Sequence, residues 1–250
     1  MVNVIIVTYN QKDYVVEAMN SVLSQDYEKI KIIVSDDCST DGTVDLIKEY
    51  SKKYPKKIIP LFSDRNLGLT QNIDRATKHC EGKYISHLGG DDMMLKDKIS
   101  NQMLYATEEN IVYCNHKLID HHGNFIKTIN VDKFKFIRQD RWILFDDRLN
   151  GCNLLIPKKI LIKEGLFNEK LKHIQDYDMW YKLSKKYKFL NTKNYFVKSR
   201  IHANQDSHKK SKEAFNEKKK FYTKQISLIT KKNFFIALMI YASNKIRGNI

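Results

Sequence analysis

Ile30-Lys31-Ile32-Ile33-Val34-Ser35-Asp36-Asp37 is a short apolar run that ends in two adjacent carboxylates. The same design recurs at Tyr84-Ile85-Ser86-His87-Leu88-Gly89-Gly90-Asp91-Asp92. Runs of this kind read as strands buried on both faces, the mark of a parallel sheet covered by helices. Two like charges side by side at the end of such a strand repel, so each doublet needs something to neutralise it. In an open α/β sheet the carboxyl ends of the strands are also where ligands bind. A divalent cation carrying a diphosphate satisfies both conditions.

Working outward, Val2-Asn3-Val4-Ile5-Ile6-Val7-Thr8 predicts a first strand. A helix is expected over 12–24, with Tyr14-Val15, Ala18-Met19 and Val22-Leu23 on one face. The second strand spans 30–35, and Ser39-Thr40-Asp41 offers N-cap residues for a helix to about residue 52. A strand over 57–62, a helix over 69–80 and a strand over 83–88 complete a βαβαβαβ rhythm. That rhythm predicts an α/β fold, a mainly parallel sheet flanked by helices. After Asp92 the order changes, with a helix over 96–107, a strand over 111–120, and a hairpin turn at His121-His122-Gly123-Asn124 leading into 125–131. Residues 132–150 lack periodicity and read as a mobile or acceptor-binding loop. A short strand over 154–156 closed by Pro157, helices over 158–164 and 176–187, and a helical tail from about residue 211 follow.

The chain has 250 residues, 42% of them hydrophobic and 11% aromatic, enough for one large or two small cores. Its four cysteines are far apart with no CxxC pair, which favours reduced thiols in a cytoplasmic protein over a disulfide framework. No leader is expected before the first strand, and the apolar run 234–242 is too short to span a bilayer. The formal net charge is +15. It concentrates in 208–232, where nine lysines face only Glu213 and Glu217. Such a tail suits an anionic partner, an acidic membrane leaflet or nucleic acid, and a solvated helix face accounts for it equally.

The first strand delivers Thr8 and Asn10 to the expected ligand edge. Neither GxGxxG nor GxxxxGK[ST] is present, so a nucleotide there would be held by side chains rather than by a glycine-rich loop. Asp36 can accept a hydrogen bond from a uracil N3 or a ribose hydroxyl. The alternative makes Asp36-Asp37 a polar strand end, with Asp37 capping the next helix. Asp91-Asp92 suits a hard divalent cation, with Gly89-Gly90 allowing close backbone approach; an exposed Gly-Gly-Asp-Asp turn is the competing reading. His121-His122 reads as a solvent-exposed turn pair rather than a metal site. Trp142 and Trp180 read as packing aromatics.

Taken in order, Val7-Thr8-Tyr9-Asn10, Asp36-Asp37-Cys38-Ser39-Thr40-Asp41-Gly42-Thr43, Asn66-Leu67-Gly68 and Gly89-Gly90-Asp91-Asp92 resemble family 2 glycosyltransferases of the GT-A fold, of the bacterial surface-glycan type. Gly165-Leu166-Phe167-Asn168-Glu169, Ile174-Gln175-Asp176-Tyr177-Asp178-Met179-Trp180 and Arg200-Ile201-His202 followed by Ser207 extend the resemblance over about 2–207. It implies a transferase domain over 1–207, with residues 1–92 for the nucleotide sugar, 93–207 for the acceptor, and 208–250 as a basic helical tail. Thr8, Asn10 and Asp36 would then line the base and ribose pocket, with Arg65 and Asn66 nearby. Asp92 would hold the metal, Mn²⁺ or Mg²⁺; Asp91 would lie beside the ribose or sugar, and His202 would reach the metal or diphosphate. Asp176 matches the general base of inverting members. Two departures stand out: Gly89 or Gly90 occupies the place of an earlier acidic residue, and Gln175 replaces the glutamate that commonly precedes the base.

The leading expectation is therefore a metal-dependent inverting transferase, moving a sugar from a UDP-linked donor, with dTDP as the other base. Its acceptor would be a glycan or lipid-linked chain of capsule, lipopolysaccharide or a similar polysaccharide, at the inner face of the cytoplasmic membrane through peripheral contact with anionic lipid. Nucleic acid is not expected as a partner: charge alone argues for it, and no recognised nucleic-acid motif accompanies the charge. A non-catalytic scaffold of the same fold is the third reading.

Overall fold

The computed structural model describes residues 1–131, 139–140, 143, 148–203 and 212–230. Most of the expected 132–150 loop, including Trp142, lies outside the described residues, as do Ser207 and the tail beyond residue 230. In the first half β1 (Val2–Thr8), β2 (Ile30–Asp36), β3 (Ile58–Phe62) and β4 (Tyr84–Gly89) alternate with α1 (Val15–Leu23), α2 (Thr43–Lys53) and α3 (Leu69–Lys78). The second half runs β5 (Met93–Met94), α4 (Lys98–Met103), β6 (Asn110–Ile119), β7 (Phe125–Ile129), a 3₁₀ turn at Gly151–Asn153, β8 (Leu154–Pro157), α5 (Lys158–Lys163), α6 (Gln175–Ser184), β9 (Lys188–Arg200) and α7 (Lys212–Thr230).

All strands join one curled sheet in the order β3-β2-β1-β4-β8-β6-β9-β5, with β7 beside β6. The first four pair parallel, as their apolar runs predict. Beyond β4 the sheet is mixed: β8 runs antiparallel to β4 and β6, β9 parallel to β6, and β5 antiparallel to β9. The central strands are buried from both sides. Ile5, Ile33 and Ile85 pack against Phe167, Tyr177 and Trp180, while Val4, Ile6, Ile32, Val34 and Leu88 pack against Val15, Met19, Val22 and Ile47. Each such side chain contributes about 1.5–3 kcal/mol by leaving water. The register sets Thr8 opposite Asp36 and Val7 opposite Gly89, so three strand ends open at one edge.

The sequence reading missed β9, which is 13 residues long. Lys193 has φ 64°, and the β6–β9 register shifts around Asn115, whose side-chain amide donates to the Lys193 carbonyl at 3.0 Å. Asn191-Thr192-Lys193-Asn194 therefore looks like a turn and is an irregularity within a strand. The described part of the basic tail is docked on the domain. Phe221 and Tyr222 meet Tyr177 edge-on at 5.2 and 5.9 Å, and Phe221 meets Tyr181 at 5.7 Å. Glu217 accepts the Lys172 and His173 amides, each at 3.0 Å.

Asp74 of α3 is buried and accepts the Phe167 amide at 3.4 Å. Burial, reinforced by Glu169, lifts its carboxyl from 3.8 to about 6. The folded chain thus holds this proton more tightly than the unfolded chain, and the contribution to stability declines as pH rises from about 4 through about 6. Asp74→Asn, which keeps an acceptor oxygen, should raise the melting temperature at pH 7.5 and leave it nearly unchanged at pH 3.5. Thermal melts across that range test this, and an equal shift at both pH values would contradict it.

Candidate active site

The ends of β1, β2 and β4 are tied together by backbone before any side chain acts. The Asp37 amide donates to the Thr8 carbonyl at 3.0 Å and the Gly90 amide to the Val7 carbonyl at 2.8 Å. A side chain at Gly90 would have its Cβ 2.3 Å from Gln11 Oε1 and 2.9 Å from Thr8 Cβ, so glycine is required for this approach. Thr8 Oγ1 and Gln11 Oε1 are buried at this junction and, among the described residues, have no hydrogen-bond partner. Asn10, at φ 51°, turns the chain out of β1, and its side-chain carbonyl accepts the Thr40 amide at 2.9 Å while its own amide donates to Ser39 Oγ at 2.8 Å.

The first doublet divides its labour. Asp36 accepts from the Ser39 amide at 2.8 Å and the Ser39 hydroxyl at 2.5 Å. Burial outweighs these bonds and raises its pKa. Asp37 does not cap α2. Its two oxygens accept the Leu67 and Gly68 amides, each at 2.8 Å, and so pin the β3–α3 loop to the sheet edge. The N-cap of α2 is Gly42 rather than one of Ser39-Thr40-Asp41, and Asp41 just before it accepts the Thr43 amide at 3.0 Å and the Thr43 hydroxyl at 2.6 Å. Asn66 steadies the same loop by accepting the Gly68 amide at 3.1 Å. Arg65 is exposed on this loop, and its side chain has no hydrogen bond or ion pair among the described residues. Beneath Asp36, Arg75 Nη2 donates to the Asp36 carbonyl, Ser35 Oγ and Asn72 Oδ1, each at 3.0 Å.

The second doublet is arranged differently from expectation. Asp91, rather than Asp92, meets His202, with Oδ2 3.0 Å from Nε2. Asp92 turns inward: Oδ1 accepts the Arg200 amide at 2.9 Å and Oδ2 the Cys152 thiol at 3.1 Å. Burial, with the charge of Asp91 beside it, pushes the Asp92 carboxyl up to about 7. Arg200 fixes the whole corner. Its Nε donates to the Asp91 carbonyl at 2.9 Å, Nη1 to the Asp120 and His121 carbonyls at 3.3 and 3.1 Å, and Nη2 to Glu17 at 2.5 Å. His121 and His122 are themselves exposed, as expected of a turn pair. Nothing in the sequence patterns singled out Arg75, Cys152 or Glu17.

Among the described residues, no group of three or more His, Cys, Asp or Glu side chains could hold a metal unaided. Asp91 and His202 nevertheless bring a carboxylate and an imidazole together where Gly89 and Gly90 carry no side chain. That donor set fits a Mg²⁺- or Mn²⁺-type ion whose remaining ligands arrive with a diphosphate.

Asp176 stands half-buried in the first turn of α6, with Oδ1 accepting the Tyr177 amide at 2.7 Å. Trp180, one turn later on the same face, is fully buried and meets Phe167 edge-on at 5.7 Å. Phe167 in turn meets His87 of β4 at 5.9 Å. Two ring contacts thus connect the helix carrying Asp176 to the strand leading into Asp91. His87 is buried, which holds its pKa down at about 4, so it is neutral near pH 7.

Residues 3–163 match the family described as glycosyl transferase family 2. The chain belongs to that family. The uncharacterized glycosyltransferase RP339 of Rickettsia prowazekii is 34% identical over 213 residues, covering 82% of this chain and 65% of its own. The chain spans about a third to two thirds of the length of the Rickettsia relatives that it matches. It is also 31% identical over 220 residues to the Escherichia coli UDP-Glc:alpha-D-GlcNAc-diphosphoundecaprenol beta-1,3-glucosyltransferase WfaP, covering 87% of this chain and 84% of that protein. Among solved structures, S. aureus TarS 1–349 in complex with UDP-GlcNAc superposes with a TM-score of 0.71 at 18% identity, over 89% of this chain and 65% of that one. The mannosyltransferase PcManGT from Pyrobaculum calidifontis, in complex with GDP-Man and Mn²⁺, gives 0.65 at 16% identity over 92% and 63%. The fold is accordingly the GT-A fold of these transferases.

Asp37→Asn places an amide N–H against one of the two loop amides that the carboxylate accepts. It should destabilise the protein by about 1–3 kcal/mol. Urea unfolding measures this, and an unchanged midpoint would show that the loop is held by other means.

Proposed function

We propose that this chain is an inverting glycosyltransferase that moves a sugar from a UDP-linked donor to a hydroxyl of a glycan or lipid-linked acceptor in surface-polysaccharide synthesis. The observation that carries the reading is the convergence of Thr8, Asp36 and the Asp91–His202 pair at one sheet edge, in a chain of family 2. A UDP donor is favoured by the names of WfaP and of the TarS complex. WfaP's diphosphoundecaprenol-linked acceptor supports a lipid-linked one here.

Residues 1–92 hold the donor. Thr8 and Asn10 border the base and ribose pocket, and Asp36, whose oxygens meet only Ser39 among the described residues, accepts from the nucleoside. Arg65 and Asn66 flank this pocket from the loop that Asp37 anchors. Asp91 and His202 would hold the cation together with the diphosphate, and Asp92 lies inward on the Arg200 amide and the Cys152 thiol. A bound Mn²⁺ or Mg²⁺ would act as a Lewis acid that stabilises charge on the leaving diphosphate. Residues 93–207 receive the acceptor. Its hydroxyl oxygen forms the new bond to the anomeric carbon as the bond from that carbon to the phosphate oxygen breaks, and the electron pair leaves with the diphosphate. The hydroxyl proton passes to Asp176. Gln175 in place of glutamate spares Asp176 an adjacent negative charge.

Lys219, Lys220 and Lys224 lie on the exposed face of α7, opposite the aromatic face docked on α6. Among the described residues no helix is long and apolar enough to cross a membrane. We assign this face to peripheral contact with anionic lipid at the inner face of the cytoplasmic membrane.

Asp176→Asn should slow UDP release from UDP-sugar and acceptor by about 10²–10⁴-fold, with UDP affinity within twofold of the unaltered chain. Undiminished turnover would remove Asp176 from the role of base. Exchanging Lys219, Lys220 and Lys224 for glutamate should abolish sedimentation with vesicles containing anionic phospholipid and leave turnover of a soluble acceptor unchanged. Equal binding to neutral and anionic vesicles would argue against the lipid assignment.

A further inference from the structure

Tyr14 is the residue before α1 and has no part in the reaction as described above. Its half-buried ring nonetheless lies between the two elements that define the acidic corner. The Arg200 guanidinium carbon sits 4.7 Å from the ring centroid. The His202 imidazole centroid lies 5.0 Å from it, inclined at 38°. Arg200 is immobilised by five hydrogen bonds on oxygen: its amide to Asp92, and its side chain to the Asp91, Asp120 and His121 carbonyls and to Glu17, with Nη2 also facing Met93 Sδ at 3.8 Å.

His202 has far less support. It follows the last residue of β9, and among the described residues its ring meets one hydrogen-bonding group, Asp91, and one ring, Tyr14. A metal-ligating imidazole usually has its orientation fixed by a hydrogen bond on its second nitrogen. Here an aromatic face does that work, and that face is itself clamped by a cation–π contact with an arginine that cannot move.

We propose that Tyr14 is a positioning residue for cation binding: clamped on Arg200, its ring holds the His202 imidazole toward Asp91. The chain is Asp92–Arg200–Tyr14–His202–Asp91, a closed ring of contacts that begins and ends on the same doublet. Because the aromatic face is the working part, the phenolic hydroxyl is dispensable. The inference rests on the reading of Asp91 and His202 as cation ligands.

The test uses the full chain with Mn²⁺ as the probe, in the presence of saturating UDP, and reads free Mn²⁺ by electron paramagnetic resonance. Metal-free UDP binding in EDTA is measured in parallel by calorimetry. Tyr14→Phe should bind Mn²⁺ within about twofold of the unaltered chain. Tyr14→Leu, which keeps apolar bulk without a π face, should weaken Mn²⁺ by about tenfold or more and leave metal-free UDP binding unchanged. His202→Ala should lose at least as much, and the double variant Tyr14→Leu/His202→Ala should be no worse than His202→Ala alone, since both changes remove one interaction. Normal Mn²⁺ affinity in Tyr14→Leu, or a loss that adds fully to that of His202→Ala, would overturn the proposal. Absence of UDP-dependent Mn²⁺ binding in the unaltered chain would instead refute the cation-site reading itself. Tyr14→Ala, with unfolding followed by circular dichroism, separates a folding defect from the metal effect should Tyr14→Leu misfold.

Discussion

Burying two adjacent carboxylates at the end of β4 is the constraint around which this molecule is organised. Left alone, each would face a desolvation cost of several kcal/mol and the repulsion of its neighbour. The protein answers by driving the last side chain of β9 underneath them. Arg200 binds the doublet through one backbone carbonyl and one carboxylate, and uses its remaining donors on α1 and on the β6–β7 turn. One guanidinium thereby joins the first half of the chain to the second. β9 must therefore run its full length beside β6, because Arg200, which bonds Asp91 and Asp92, is its last residue.

This explains what was legible in the sequence and what was not. The four parallel strands announced themselves, since strands buried on both faces are apolar throughout and leave no ambiguity of period. The strand-end groups were legible for the same reason: a charge directly after such a run has to sit at the sheet edge. β9 hid because it carries a positive-φ Lys193 between two asparagines, which is turn chemistry inside a strand. Without β9 in place, Arg200 could be read only as part of a motif, and its neighbours Tyr14, Glu17 and Cys152 could not be read at all. They come from the start of α1, its first turn and a 3₁₀ turn, with no spacing that links them. Long-range convergence of single residues has no local signature.

The two aspartates of each doublet are chemically identical and end in opposite roles, and the backbone decides which is which. At β2 the strand ends on Asp36, so Asp36 looks into the edge and Asp37 turns aside to the Leu67 and Gly68 amides. At β4 the strand ends on Gly89, and two residues without side chains let the chain fold back before either acid is placed. Asp91 then faces His202 while Asp92 goes inward. Although β2 stops on its first aspartate and β4 two residues before its own, the first aspartate of each doublet takes the outward position and the second turns aside or inward. Sequence motifs carry no record of where each second aspartate turns.

The docking of α7 extends the same logic to the far side of the cleft. In the reading proposed above Asp176 is the general base; such a group is useful only when its position relative to the donor is fixed to a fraction of an ångström, and Asp176 sits at a helix start, where fraying is easiest. Two restraints oppose that. Phe167 wedges between His87 and Trp180 and ties α6 to β4, the strand that also leads into Asp91. Glu217 binds the two amides at 172 and 173, just before the helix, while Phe221 and Tyr222 close over Tyr177. The described part of the basic segment is thus a structural brace on its inner face and a lysine surface on its outer one. A membrane contact on that outer face would bear on the helix that carries the base through the aromatic face they share.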